Sequence, residues 1–194
     1  ASREHLWSLW NRVRGDGYEL DALSRFMDSS QKKLSCAEDD LVLYAGTAVP
    51  YAGAVRVREP FVGRLKRFEE VVTEVAIESY GRAPRRVRHV GAYNCRPSRN
   101  RSHRLSEHAL GNAIDVIGFD FGPPKPSEAL VEGLPNALRG SFQVRVARHW
   151  EAKQGAQNVA HAAFLRDLTD RLLERGDVFR VMLGPSHRGH ADHG

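Results

Sequence analysis

Apolar side chains recur at helical spacing in two long stretches, which predict the main helices of the chain. The first stretch covers residues 60–80, ahead of a glycine suited to end a helix, and the second covers residues 159–174. Two shorter helical patterns near the start of the chain predict an N-terminal helical extension over residues 1–35. Residues 36–194 are expected to form the remaining domain.

Short apolar or alternating runs predict the strands. They cover residues 41–44, 54–57, 87–95, 113–121, 142–146 and 178–183. Residues 96–105 are polar and show no period, so we expect irregular structure there. Because helices and strands are mixed without a regular β–α–β rhythm, the expected fold class is α+β.

Composition places the chain among globular proteins. Its 194 residues are 41% hydrophobic and 27% charged, which is enough apolar material for a packed core. No apolar run approaches the roughly 18 residues that a membrane-spanning helix requires, so we expect no membrane span. The start of the chain lacks the basic-then-apolar pattern of a signal peptide, and since it begins with alanine a removed leader stays open.

The chain is basic, with 29 Lys and Arg against 24 Asp and Glu and a net charge of +5. The densest basic patch covers residues 82–88. It lacks the interleaved aromatic residues and the known motifs of nucleic-acid-binding proteins, so we expect no nucleic-acid partner. The patch fits either a solvated face or attraction to an anionic polymer such as a cell wall.

The two cysteines, Cys36 and Cys95, are too few for a four-cysteine zinc site. Two interpretations stay open on the sequence alone. The residues are either two buried thiols or one disulfide, and a disulfide would indicate an oxidising compartment.

A histidine and a carboxylate lie seven residues apart, on either side of a glycine. In one continuous strand, His108 and Asp115 would point to opposite faces, but a turn at Gly111 can bring them to one point. Asp115 would share a face of the predicted strand with Phe119, where a lone carboxylate is costly to bury. Both residue types are ordinary zinc ligands. The alternatives are a buried ion pair or two unrelated polar residues.

The end of the chain carries more of the same residue types. Residues 186–194 contain three histidines and one aspartate, and they follow a predicted strand. Such a cluster is typical of ligands that a metal site recruits from a distant part of the chain. The alternative is a flexible polar tail. Ser106 lacks the glycine pattern of a nucleophilic serine and is better interpreted as a hydrogen-bonding partner of the site.

Several segments together resemble the bacterial extensin-like C-terminal domain family. They are residues 93–96, 105–115, 118–119, 164–166, 181–185 and 190–193, so the resemblance extends from about Cys36 to the end of the chain. The pattern S-x-H-x-x-G-x-A-x-D, here Ser106 to Asp115, is similar to that of the wider group of D-Ala-D-Ala metallopeptidases, lysostaphin and hedgehog zinc domains.

The resemblance implies a small antiparallel sheet with flanking helices around one Zn²⁺ ion. His108 and Asp115 match the first two ligands. The family's ending is similar to H-x-D-H-x-H, where His190 and His193 match and the last histidine falls beyond Gly194. We therefore expect a chain cut one residue early, with His193 as the third ligand only if the chain truly ends at Gly194.

The resemblance also implies a function, which is a zinc-dependent peptidase or carboxypeptidase acting on peptidoglycan or related D-amino-acid amides. His193 would be the catalytic base, His190 would support it, and Ser106 would orient the ligands. The alternative is a non-catalytic zinc module that binds a cell-wall polysaccharide or protein. The placement of the cysteines in the family favours a Cys36–Cys95 disulfide and a periplasmic or secreted protein, whose partner would be peptidoglycan or another cell-envelope polymer.

Overall fold

The computed structural model describes residues 36, 38–98 and 101–185, and these form two compact units. The first unit contains the described residues up to Tyr44 together with Val55–Gly63 and Ala92–Ile114. The second contains Ala45–Ala54, Arg64–Gly91 and the described residues from Asp115 onward. The predicted N-terminal helices over residues 1–35 lie outside the described residues.

The first unit contains two small antiparallel ribbons. Strand β1 (Leu41–Tyr44) pairs with β2 (Val55–Arg58), with Tyr44 opposite Val55. Strand β4 (Pro97–Ser98) pairs with β5 (Arg101–Leu105), which leads into a 3₁₀ turn at Glu107–Leu110. The prediction of irregular structure over residues 96–105 is therefore wrong. Backbone pairing forms this ribbon in a polar segment that has no apolar alternation to reveal it.

The second unit is built on a three-stranded antiparallel sheet in the order β3–β6–β7. Its strands are β3 (Arg86–Gly91), β6 (Asp115–Phe121) and β7 (Phe142–Arg145). The helices are α1 (Glu59–Tyr80), which begins in the first unit, α2 (Val146–His149) and α3 (Ala156–Arg175). All strand pairs among the described residues are antiparallel, and together with the helices they confirm the α+β class.

Both long helices confirm the predictions within a few residues. Helix α1 stops where Gly81 adopts a φ of +72°, a left-handed conformation that glycine reaches without strain. A Cβ atom at this position would also overlap the carbonyl of Ala129. The conformation and the close approach together explain why the helix ends here.

Aromatic side chains fill the core of the second unit. Phe121 of β6 and Phe142 of β7 stack with their ring centroids 4.6 Å apart. The ring of Tyr80 meets both of them edge-on, at 5.0 and 4.9 Å. Phe164 of α3 packs against Tyr80 at 5.3 Å. Each buried ring contributes about 1.5–3 kcal/mol by leaving water, so this cluster anchors both helices to the sheet.

Residues 178–183 do not form the predicted strand. Val178 is buried, but Val181 is 67% exposed and Leu183 is 39% exposed. Apolar alternation predicts a strand only where one face is covered, and most of this segment is not. Val178 instead accepts a hydrogen bond at its carbonyl from Arg64 of α1.

A buried carboxylate fixes the loop that precedes β2. Glu69 of α1 is fully buried, and its Oε2 accepts hydrogen bonds from the backbone N–H groups of Thr47, Ala48 and Val49 at 2.9, 2.7 and 3.3 Å. A buried carboxylate is stable only with such donors, so Glu69 acts as an internal cap for the loop. None of the helices in the described ranges is long and apolar enough to cross a membrane.

Candidate functional site

His108 sits on the 3₁₀ turn of the first unit, half-buried, with its ring held by the backbone. Its Nδ1 lies 2.5 Å from the carbonyl oxygen of Ala92. A carbonyl can only accept, so Nδ1 carries the proton and Nε2 carries the lone pair in the neutral ring. A histidine that donates its other N–H to a backbone carbonyl is the arrangement common in metal ligands.

The turn that carries His108 is capped at both ends. Ser106 is buried at the N-cap, and its Oγ accepts a hydrogen bond from the backbone N–H of His108 at 3.3 Å. Gly111 ends the turn with a φ of +66°, and its carbonyl accepts from the backbone N–H of Arg58 at 3.0 Å. A Cβ atom on Gly111 would come within 2.9 Å of that nitrogen. The predicted break at Gly111 is therefore present.

Residues 92–95 hold the turn from the other side. The backbone N–H of Asn94 donates to the carbonyl of His108 at 3.1 Å. The carbonyl of Ala92 accepts a hydrogen bond from the ring of His108. Cys95 forms a disulfide with Cys36. The open alternative between thiols and a disulfide is thus decided for the disulfide, which anchors the segment that contacts His108.

Charged groups flank this segment in the first unit. Arg56 contacts the ring of Tyr93 at 5.1 Å and pairs with Glu38 at 2.9 Å. The hydrogen bond from Arg56 holds the pKa of Glu38 below its ordinary value. Partial burial, and then the charge of Glu38, raise the pKa of Tyr93. Tyr93 therefore stays a neutral phenol over the whole physiological range.

Asp115 is the first residue of β6 in the second unit, where it is half-buried and lies opposite Gly91. The register between β3 and β6 shifts at two places, past Ile117 on β6 and past Val90 on β3. Bulges disturb the alternation of faces along a strand, so alternation alone does not fix the face of Asp115 relative to Phe119. The shared face stays a prediction, because one sequence cannot show where a strand or its partner skips a residue.

His190 and His193 lie outside the described residues. Within residues 36, 38–98 and 101–185, no group of three or more His, Cys, Asp or Glu side chains is placed to hold a metal ion. The ligand set drawn from the sequence, His108 and Asp115 with a C-terminal histidine, stays a prediction.

Two groups that position His108 could not be found from the sequence. One is the carbonyl of Ala92, sixteen residues away, and the other is the N–H of Asn94. Both act through the backbone, so their residue types carry no signal. The caps, Ser106 and Gly111, could be found, because serine at an N-cap and glycine after a turn are local preferences.

A family model for the extensin-like protein C-terminus matches residues 18–128, more than half of the chain. The chain belongs to the extensin-like C-terminal family. The matched part of this extensin-like domain includes Ser106, His108 and Asp115 as well as both cysteines of the disulfide. No curated protein and no solved structure gave a match.

The limits of the family match differ from those of the resemblance. The match begins at residue 18 and so includes part of the stretch that was assigned to an N-terminal extension. It ends at residue 128 and so leaves out α3, His190 and His193. Of the proposed site residues, Ser106, His108 and Asp115 therefore lie within the matched part and the two C-terminal histidines do not.

Proposed function

We propose that this extensin-like domain is a zinc-dependent hydrolase that cleaves peptidoglycan or a related D-amino-acid amide. His108 and Asp115 are the proposed ligands, completed by a C-terminal histidine that is either His193 or the histidine that the family pattern has two residues later. The proposal relates the domain to the D-Ala-D-Ala metallopeptidase, lysostaphin and hedgehog zinc group through the motif Ser106–Asp115.

The observation that carries the proposal is the contact between Nδ1 of His108 and the carbonyl oxygen of Ala92. Because Nδ1 donates to the carbonyl of Ala92, the ring presents Nε2 as an electron-pair donor. The two caps and the bond from Asn94 fix the backbone beneath the ring. An imidazole oriented in this way loses little rotamer freedom when it binds a cation, so His108 fits a zinc ligand.

A zinc ion bound here would supply an activated water molecule and would polarise the carbonyl of the scissile amide. In the proposed mechanism, His193 takes a proton from the attacking water and passes it to the leaving amine, in the case where the later histidine is the third ligand. His190 supports this residue or donates a hydrogen bond to the developing oxyanion. Ser106 acts indirectly, by keeping the His108 turn in place.

The proposed partner is a cell-envelope polymer, and the proposed location is the periplasm or the extracellular space. The Cys36–Cys95 disulfide supports this location, because disulfides persist mainly in oxidising compartments. The net charge of +5 supports attraction to an anionic polymer.

Metal analysis tests the ligand assignment. We expect the wild-type protein to bind about one zinc ion per chain. His108→Ala and Asp115→Ala should each lose most of it, because removal of one ligand from a three-residue site commonly costs far more than tenfold in affinity. His89→Ala is the matched control, since Nε2 of His89 already contacts the carbonyl of Gly53 at 3.0 Å. Unchanged zinc content in both ligand variants would reject the site.

Digestion of purified peptidoglycan tests the activity. We expect new amine termini to appear with the zinc-loaded protein, and we expect none with chelator or with His108→Ala. Zinc content without any product, together with retention of the protein on the polymer, would instead establish the non-catalytic binding module. Cosedimentation with the same peptidoglycan distinguishes these two results.

A further inference from the structure

A pocket of about 300 Å³ lies in the second unit, beside the residues that precede β3 and follow β6. Its charged lining residues are Arg82, Arg85, Lys125 and Glu128. The rest of the wall is small or apolar, mainly alanine and proline side chains such as Pro84 and Pro123. The lining therefore carries three positive charges and one negative charge around a compact apolar space.

Arg82 supplies a fixed positive charge to this wall. Only 2% of the residue is exposed, and its Nη2 donates to the carbonyls of Leu138 and Gly140. Its guanidinium also lies 4.9 Å from the centre of the Phe142 ring. Among the described residues, no carboxylate lies within ion-pair distance of Arg82, although the charge of Glu128 acts on it from the same wall. Neither Nε nor Nη1 of Arg82 has a hydrogen-bond partner in this part of the chain. A buried charge with incomplete hydrogen bonding is costly, and an anion in the pocket would offset part of that cost beside Glu128.

Arg85 and Lys125 are exposed and can reach a ligand directly. The guanidinium of Arg85 lies over Gly122, where a Cβ atom would overlap its Nε and Cζ. Glu128 is engaged locally, because its Oε2 accepts from the backbone N–H of Lys125 at 2.7 Å. Gly122 thus provides the space in which Arg85 lies at the edge of the pocket.

We propose that this pocket binds the carboxylate of a small ligand with a compact apolar body. A planar carboxylate matches the paired N–H groups of Arg85 and carries a single charge. Inorganic phosphate has no apolar part to fill the remaining space, so the alanine and proline walls favour a carboxylate that is attached to an apolar body. The volume lies at the lower end for small-molecule pockets, and the alanine and proline walls suit a small apolar body.

This binding site is separate from Asp115, the proposed zinc ligand of the same unit. Asp115 begins β6 and Gly122 follows its end, and a seven-residue strand spans roughly 20 Å. The inference does not depend on the proposed hydrolase activity. The members of the basic patch at residues 82–88 differ in their positions. Arg82 and Arg85 line the pocket, while Arg86 is exposed and lies outside it.

Titrations monitored by backbone amide NMR test the site with three probes: N-acetylalanine, N-acetylalaninamide and inorganic phosphate. We expect N-acetylalanine to shift the signals of Gly122 and Lys125 saturably, with a Kd of about 1 mM. The uncharged amide should produce no saturable shift. Arg85→Gln should weaken binding about tenfold or more, whereas Arg86→Gln, which removes an equal charge next to the pocket, should leave it unchanged.

Gly122→Ala provides a second variant that alters no charge. The added methyl group should displace the guanidinium of Arg85 and weaken binding by a similar factor. Three results would each overturn the proposal: no saturable shift with N-acetylalanine, equal responses to the acid and its amide, or equal losses in Arg85→Gln and Arg86→Gln. Tighter binding of phosphate than of N-acetylalanine would overturn the assignment to a carboxylate.

Discussion

Two buried histidines in the second unit, His149 and His161, are costly to protonate in the folded chain. His161 is fully buried, with its Nδ1 2.9 Å from the hydroxyl of Tyr80. The ring of His149, 3% exposed, lies 4.6 Å away. Burial, reinforced by His149 and then Arg148, lowers the pKa of His161 to about 4. The same cause, burial, lowers the pKa of His149.

We therefore predict that the folded domain loses stability as the pH falls from about 6.5 to about 4. In this range the unfolded chain takes up a proton at His161 that the folded chain excludes. The contribution of this residue to the free energy of unfolding should decrease by about 3 kcal/mol and level off below pH 4. Urea denaturation at a series of pH values measures it.

The control is His161→Gln, which keeps a polar side chain near Tyr80 but does not titrate. Its pH dependence between 6.5 and 4 should be shallower than that of the wild type. Parallel curves for the two proteins would contradict the assignment of this effect to His161.

At the scale of elements, the sequence was most informative where one face of an element is buried along its whole length. Helix α1 confirms its prediction because its apolar residues repeat with the period of a helix and pack on the core. The register of β6 could not be predicted, because the bulge at Ile117 depends on how β3 pairs with it. The apolar segment 178–183 misled the prediction, because no strand in the described part of the chain pairs with it.

In the turn at His108, some features follow from the local sequence and others depend on distant residues. Ser106 and Gly111 are local signals, and both cap the turn as their residue types predict. The ring orientation of His108 depends on the carbonyl of Ala92, which the disulfide segment brings into place. The identity of a candidate ligand was therefore predictable, while its tautomer was not.

At the scale of the whole molecule, the disulfide is the strongest single constraint that the structure adds. Cys36 and Cys95 are 59 residues apart, and the loop between them contains β1, β2, α1 and β3. Closing a loop of this length restricts the unfolded chain far more than the folded one. The bond should therefore contribute to the stability of most of the described chain.

We predict that Cys36→Ser/Cys95→Ser lowers the free energy of unfolding by about 4 kcal/mol. Urea denaturation of the variant and of the wild type, each with and without dithiothreitol, measures the effect. Reductant should destabilise the wild type by a similar amount and leave the variant unchanged. Equal stability of the reduced and oxidised wild type would contradict this prediction.

The net positive charge of the chain does not show which of its arginines are available to a ligand. The basic patch at residues 82–88 fitted either a solvated face or an anionic partner. In the structure its members have different roles, since Arg82 is buried and Arg88 pairs with Asp120 at 2.6 Å. Composition could indicate an excess of positive charge, but only the fold determined which arginines are available to a ligand.

The sequence by itself determined the α+β class, the two long helices and the family motif around His108 and Asp115. These features follow from local periodicity and residue type, which act over a few neighbouring positions. The tertiary structure alone decided that Cys36 bonds to Cys95, that Glu69 caps a distant loop and that Arg82 is buried beside a pocket. Such contacts join residues far apart in the chain, so they depend on topology that no local pattern encodes.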